Sequence, residues 1–176
     1  MANKGKYYES QFEEATIELL HESHWQYTFG DDIHRKYTDP LIEEDLRTFL
    51  TAQYKDKKLT ASEVDSIVAN LRNTGGQNDY YALQNTFLLY RDGYDFTYSD
   101  GRSNPFRLEY IDFEHPDHNI FRCVNQFVME QGRENRRPDI LLFINGIPVC
   151  IIELKNPTKQ NATIHDAHTQ ICTRYM

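Results

Sequence analysis

The chain has 176 residues, 39% of them apolar, which is enough for one ordinary domain with a real core. Asp and Glu number 27 against 19 Lys and Arg, a formal net charge of -8, so the whole chain repels a polyanion at long range and any nucleic-acid contact has to be local. Cys123, Cys150 and Cys172, an odd number without CxxC spacing, fit a reducing cytosol, and no apolar run suits a signal peptide or membrane span, so a soluble, cytoplasmic protein is expected.

Tyr8, Phe12, Ala15, Leu19 and Leu20 recur at helical spacing, which predicts a first helix over residues 8–21. At about 100° per residue Glu14 falls on the solvent side, whereas Glu13 falls at the margin of the apolar stripe, where a charge is out of place. Trp25-Gln26-Tyr27 leads into a polar loop over residues 30–39, and Pro40 behind Asp39 reads as the start of a second helix over 40–54. Thr60-Ala61-Ser62-Glu63 is a capping box before Val64, Ile67, Val68 and Leu71, so a third helix should run to Arg72, ahead of Gly75-Gly76. Tyr80, Leu83, Phe87 and Leu88 mark a fourth, closed by Gly93. Beyond Gly93 the period changes, and residues 94–98, 106–113 and 120–129 are β-rich runs expected to join one sheet.

Within residues 137–155, two runs rich in Ile, Val, Leu and Phe flank Asn145-Gly146, the strongest short-range hairpin signal. Their nearly continuous apolar character predicts two antiparallel strands buried on both faces in the middle of a larger sheet. Against that background Asp139, Glu153 and Lys155 stand out, because charged groups are rarely buried unless paired or bound to a metal. Mg²⁺ takes hard oxygen ligands, usually one or two carboxylates with waters and substrate phosphate, and Asp139 and Glu153 supply that set. Lys155 is placed to orient a metal-bound water or to offset charge building on a phosphate. The bland alternative is a sheet lip at which Glu153 and Lys155 merely pair.

A two-residue Asn145-Gly146 turn would set Asp139 opposite Ile152 and point Glu153 and Lys155 away from it. A metal shared by both carboxylates therefore predicts an odd-length loop or bulge, at the turn or near Pro138.

Three phrases, Arg136-Arg137-Pro138-Asp139-Ile140, Phe143-Ile144-Asn145-Gly146-Ile147-Pro148 and Ile152-Glu153-Leu154-Lys155-Asn156-Pro157, together resemble the amino-terminal nuclease domain of the R subunit of type I restriction enzymes. That family lies in the PD-(D/E)xK nuclease superfamily. Leu108-Glu109-Tyr110-Ile111-Asp112-Phe113 and Asn125-Gln126-Phe127 extend the resemblance over most of the chain. It implies an α/β, restriction-endonuclease-like fold, a mixed central β-sheet flanked by helices, carrying a Mg²⁺-dependent site that cleaves double-stranded DNA. Asp139 matches the motif aspartate, Glu153 the acidic position and Lys155 the lysine, and the Leu154 backbone carbonyl joins the implied metal ligands. An early-helix glutamate also approaches the metal in the family, here Glu13, with Glu9 as its rival.

A last helix follows Asn156-Pro157, with Ile164, Ala167, Ile171 and Tyr175 on its apolar side. The family's Gln-x-x-x-Tyr pattern falls on Gln170, but Tyr175 comes one place late and Arg174 stands where the tyrosine is expected. Gln170 is therefore expected near the site with Arg174 beside it, and Tyr175 in the core with Ile171. Basic residues that could meet phosphates locally are Arg133, Arg136, Arg137, Lys155, Lys159 and Arg174.

One nuclease domain over residues 1–176 is expected: a helical part over about 8–92, the sheet and hairpin over about 94–155, and the last helix over about 160–176. The abrupt end at Met176 suggests a fragment of a longer protein, since the family continues into a motor. ATP is implied only for that motor, because no G-x-x-x-x-G-K-S/T loop occurs here. The resemblance also implies methyltransferase and specificity subunits as partners.

Other motifs carry less. His115-Pro116-Asp117-His118 reads as an ordinary surface turn, and His168 with Cys172 lacks a second ligand pair for structural zinc. No G-x-S-x-G elbow or dinucleotide-binding loop is present. Two competing readings remain: a non-catalytic docking module of the same fold, against which the intact Asp139, Glu153 and Lys155 argue, and a repair or junction-resolving nuclease of the same superfamily.

Overall fold

A computed structural model describes residues 9–74, 79–131, 134–155 and 164–174. In chain order its elements are α1 (Glu9–Glu22), β1 (Gln26–Phe29), α2 (Glu43–Gln53), α3 (Ala61–Arg72), α4 (Asp79–Asp92), β2 (Tyr94–Phe96) and β3 (Phe106–Leu108). There follow β4 (Phe121–Asn125), β5 (Met129–Gln131), β6 (Glu134–Arg136), β7 (Ile140–Ile144), β8 (Ile147–Ile152) and α5 (Ile164–Arg174). This is the mixed α/β architecture expected. The chain divides into two compact units, one of Met1–Pro40, Phe121–Phe143 and Ile147–Met176, the other of Leu41–Ile120 with Ile144–Gly146.

The first unit is built on a four-stranded sheet in the order β1-β4-β7-β8. β1 runs parallel to β4, with Gln26 opposite Arg122 and Phe29 opposite Asn125. Parallel strands need a long crossover, and all of residues 41–120 lie between these two. Cys123, Val124, Phe127, Ile140, Leu141, Phe143 and Ile147 are buried here. Gly30, just after β1, permits a close approach that no other residue would, since a Cβ there would stand 2.6 Å from the Gln126 carbonyl oxygen. Arg35 then fastens the following loop: its guanidinium lies 3.4 Å from the Phe127 ring centroid and donates to the carbonyls of Asp39 and Val128.

In the second unit Leu46, Phe49 and Leu50 on α2 and Val64, Ile67, Val68 and Leu71 on α3 are buried at the three-and-four spacing of helix faces packed inward. The expected capping box forms, Thr60 accepting from the Glu63 amide while Glu63 accepts from that of Thr60. Gly93 ends α4 at φ +63, and a Cβ there would meet the Leu108 carbonyl oxygen at 2.0 Å. The hairpin turn Asn145-Gly146 belongs to this unit too. Asn145 is wholly buried: its Nδ2 donates to the Tyr110 carbonyl (2.9 Å) and to Asn119 Oδ1 (2.8 Å), and its Oδ1 accepts the Ile120 amide (2.7 Å).

Several expectations need correction. The turn holds two residues, Asn145 at φ 51 and Gly146 at φ 74, the left-handed pair of a type I′ turn, so no odd-length loop forms there. Of the three β-rich runs after Gly93, only the last joins the hairpin's sheet; β2 and β3 pair with each other, Tyr94 opposite Leu108. Rather than lying in mid-sheet, β8 is an edge strand among the described residues, with Val149 and Cys150 exposed. Pro148, which has no amide to offer, suits an edge. α2 starts at Glu43 instead of Pro40, with Glu43, Glu44 and Asp45 complementing the helix dipole in its first turn. The stretch after Trp25 is a strand, not a loop lead-in; its residues are mostly exposed, so no apolar alternation announced it. No helix of the described residues is long and apolar enough to cross a membrane.

Candidate active site

The candidate residues gather where the hairpin opens, at the end away from its turn. β7 begins at Ile140, so Asp139 stands immediately before it, behind the buried Pro138; β8 ends at Ile152, so Glu153 and Lys155 stand immediately after it. Asp139 is tied to this second segment, its Oδ2 accepting the Leu154 amide at 2.6 Å. A hydrogen bond to a carboxylate is about twice as strong as a neutral one, so this bond holds both the aspartate and the Leu154 backbone in place.

Glu153 is the buried member. Its side chain is 1% exposed, and its Oε2 receives Gln170 Nε2 at 2.5 Å from α5. The same oxygen lies 3.8 Å from the Lys155 ammonium, itself 26% exposed. Withdrawing a carboxylate from water costs several kcal/mol unless charge and hydrogen bonds compensate. Here a lysine and an amide share one oxygen. Such a group, with Asp139 and the Leu154 carbonyl near it in the chain, offers hard oxygen donors of the kind Mg²⁺ takes.

Other predicted residues are placed as follows. Glu13, half-buried on α1, accepts Asn125 Nδ2 at 2.8 Å, and Asn125 Oδ1 accepts the Tyr27 hydroxyl at 3.0 Å, so this glutamate is bound to the end of β4. Burial, the leading cause, raises the Tyr27 phenol's pKa above its ordinary value. Arg136 is half-buried on β6 and Arg137 is exposed just beyond it. The Arg174 backbone closes α5, while its side chain, Lys159, Arg133, Tyr175 and the side chain of Glu9 lie outside the described residues.

One group was weighed in the sequence, with Asp117 as its carboxylate, and set aside as a surface turn. Asp112, His115 and His118 are the cluster of three or more potential metal donors among the described residues, their ligand atoms all within 4.8 Å of one another. The two histidines were visible as a pair, but their carboxylate lies three residues upstream, inside a run that read as strand.

The family described as the type I restriction enzyme R protein N terminus matches residues 6–176 of this chain. The type I restriction enzyme HindI endonuclease subunit of Haemophilus influenzae is 29% identical over 175 residues, covering 94% of this chain and 16% of that protein. The inferred type I restriction enzyme MjaIXP endonuclease subunit of Methanocaldococcus jannaschii is 31% identical over 172 residues, covering 88% of this chain and again 16% of the relative. The chain thus spans about one sixth of the length of these relatives. A match over nearly every residue, including the whole hairpin and its charged ends, places the chain in the type I restriction enzyme R protein N-terminal family.

Proposed function

We propose that this chain is the nuclease part of a type I restriction endonuclease subunit, and that it cuts double-stranded DNA by Mg²⁺-dependent phosphodiester hydrolysis at Asp139, Glu153 and Lys155. The observation that carries the reading is the buried Glu153 carboxylate, held on one oxygen by Gln170 and Lys155 beside an Asp139 fixed to the Leu154 amide. A buried carboxylate of this kind is costly to keep, and it is retained where a charge is needed.

Asp139, Glu153 and the Leu154 carbonyl are the residues that would hold the ion, with Glu13 as a further carboxylate. Mg²⁺, when bound there, supplies Lewis-acid polarisation of the phosphodiester and a water of lowered pKa. Gln170 locks the Glu153 rotamer, and the Leu154 amide does the same for Asp139. Lys155 orients the attacking water or offsets charge on the phosphate. Arg136, Arg137, Lys159 and Arg174 would supply local phosphate contacts that the acidic chain as a whole cannot. Methyltransferase and specificity subunits, an ATP-driven motor and a cytoplasmic setting belong to the same reading. The test is DNA cleavage with Mg²⁺ by the full-length subunit in its assembly. Asp139→Ala should abolish cutting while assembly and motor activity persist; undiminished cutting would refute the assignment.

A further inference from the structure

The structure points to a second metal site: we propose that Asp112, His115 and His118 bind a divalent transition metal of the zinc class. All three belong to the unit containing Leu41–Ile120, whereas Asp139, Glu153 and Lys155 belong to the other. The chain builds the group locally. Asp112 Oδ1 accepts the amides of Glu114 (3.1 Å) and His115 (2.8 Å), which folds the loop back over the carboxylate. A single 3₁₀ turn, Pro116–His118, then returns the second imidazole, whose Nδ1 lies 3.0 Å from Asp112 Oδ2. His115 Nδ1 stands 3.8 Å from Oδ1, and the two rings stack with centroids 5.0 Å apart.

Three features distinguish this from an ordinary turn. The Asp112 side chain is only 5% exposed, and both imidazoles direct the same nitrogen, Nδ1, at it. Gln53 Nε2 donates to Oδ2 at 2.8 Å from α2, the kind of outer hydrogen bond that orients a ligating carboxylate. The donors also suit the ion. Zinc binds imidazole nitrogen and carboxylate oxygen at about 2.0–2.2 Å, so the donors of a tetrahedral site are roughly 3.3 Å apart. The three donors here lie within 4.8 Å of one another, and the histidines, 61% and 50% exposed, are free enough at the surface to close the remaining gap. Two imidazoles with one carboxylate favour zinc, cobalt or nickel over magnesium and leave a coordination position for water.

Binding would stiffen a loop that already supports the hairpin turn. Asn119, at the end of this loop, accepts the Asp112 amide (2.9 Å) and Asn145 Nδ2 (2.8 Å) on its Oδ1, and donates to the Asp112 carbonyl (2.7 Å). A metal that binds only the folded state stabilises it by mass action.

The test uses the full 176-residue chain without a histidine tag, titrated with Zn²⁺ by calorimetry and with Co²⁺ by visible spectroscopy. One ion should bind, raise the thermal midpoint, and bind at least about tenfold more weakly to the His115→Ala/His118→Ala double variant, a loss of the size metal-site changes give. Both side chains are exposed, so that variant should fold. Asp139→Ala should leave zinc binding unaltered. Equal affinity in the double variant and the parent, or no binding by the parent, would overturn the proposal. So would a cobalt spectrum showing a thiolate band that Cys172→Ala removes, which would assign the ion to His168 and Cys172 instead.

Discussion

Among the described residues, the side chains of two glutamates, Glu63 and Glu153, are withdrawn from water, and they are held in different ways. Glu63, in the helical unit, has a side chain 3% exposed; its Oε2 accepts the Thr60 amide (2.9 Å) and Arg102 Nη2 (2.6 Å), and its Oε1 accepts Arg102 Nη1 (2.8 Å). That is a two-pronged guanidinium pair joined to a helix cap, and it spends the charge on holding α3 and the Arg102 loop together. Glu153, beside β8, meets Gln170 and a lysine 3.8 Å away on one oxygen. A lysine at that distance moderates the charge without forking both oxygens as Arg102 does. The contrast is what the proposed function turns on: Glu63 is spent on structure, and the proposal assigns Glu153 to chemistry.

The largest expected effect tests the second half of that contrast. Glu153→Ala should lower Mg²⁺-dependent cleavage by the full-length assembly by about a thousandfold or more, since loss of a metal ligand disables the whole unit. Its thermal midpoint should fall by no more than a few degrees, because Lys155, the charge left without this partner, is 26% exposed and stays hydrated. A variant that cuts normally, or one that simply unfolds, would mean that Glu153 is a structural residue like Glu63.

Next in size is the closed end of the hairpin. Asn145→Ala would strip partners from the Tyr110 carbonyl, the Ile120 amide and Asn119, and would put alanine at φ 51. Asn119 Oδ1 keeps the Asp112 amide, so two backbone groups are left unsatisfied at about 1–2 kcal/mol each; left-handed alanine adds about 1, and a loss of roughly 3–5 kcal/mol is expected by urea denaturation. A loss below about 1 kcal/mol would show that the turn is held by backbone pairing alone.

How far the sequence disclosed these sites differs residue by residue. Thr60 and Glu63 are three apart before an apolar run, and Asn145-Gly146 sits between two strands; both signals are local, and the capping box and the hairpin form as read, though the turn keeps two residues where an odd-length loop was expected. The odd-length turn was expected because Asp139 and Glu153 were assumed to sit in one ladder, where alternation decides facing. In fact the turn is an ordinary type I′, and β8 ends at Ile152, so strand alternation does not by itself decide where Glu153 points. β1 was illegible for a different reason, since an exposed four-residue strand whose partner, β4, comes only after all of residues 41–120 leaves no periodic trace. Asp112 was missed because a carboxylate in a strand-like run and two histidines in the loop after it do not look like a motif.

A smaller effect belongs to Gln170, which acts through Glu153. Gln170→Ala should leave assembly intact and reduce cleavage by about tenfold, equal to about 1.4 kcal/mol of transition-state stabilisation. Gln170→Glu should be worse, because it sets a second carboxylate against Glu153 and removes the donor. If both variants cut like the parent, the 2.5 Å contact would be packing and no more.

The smallest effect concerns pH and returns to Glu63. Arg102's hydrogen bonds, the leading cause, together with the Thr60 amide, hold its carboxyl at about 2, well under the ordinary 4.5. Between those two values the unfolded chain carries a proton there that the folded chain does not, so stability rises with pH across the interval. The contribution of Glu63 is therefore fully present above its unfolded pKa of 4.5 and is lost as the pH falls through about 2. Glu63→Gln keeps the shape of the side chain and removes the titration. The parent should then melt a few degrees higher than this variant at neutral pH, by the usual scaling for a chain of this size. That gap should narrow steadily below pH 4.5 and nearly close near pH 2, as followed by circular dichroism. The cleavage rate per folded molecule at neutral pH should not change, since the Arg102 pair lies outside the residues proposed for catalysis. A gap that stayed constant from neutral pH to pH 2 would show that the pair stabilises through packing alone, and that Glu63 and Glu153 differ less than their partners suggest.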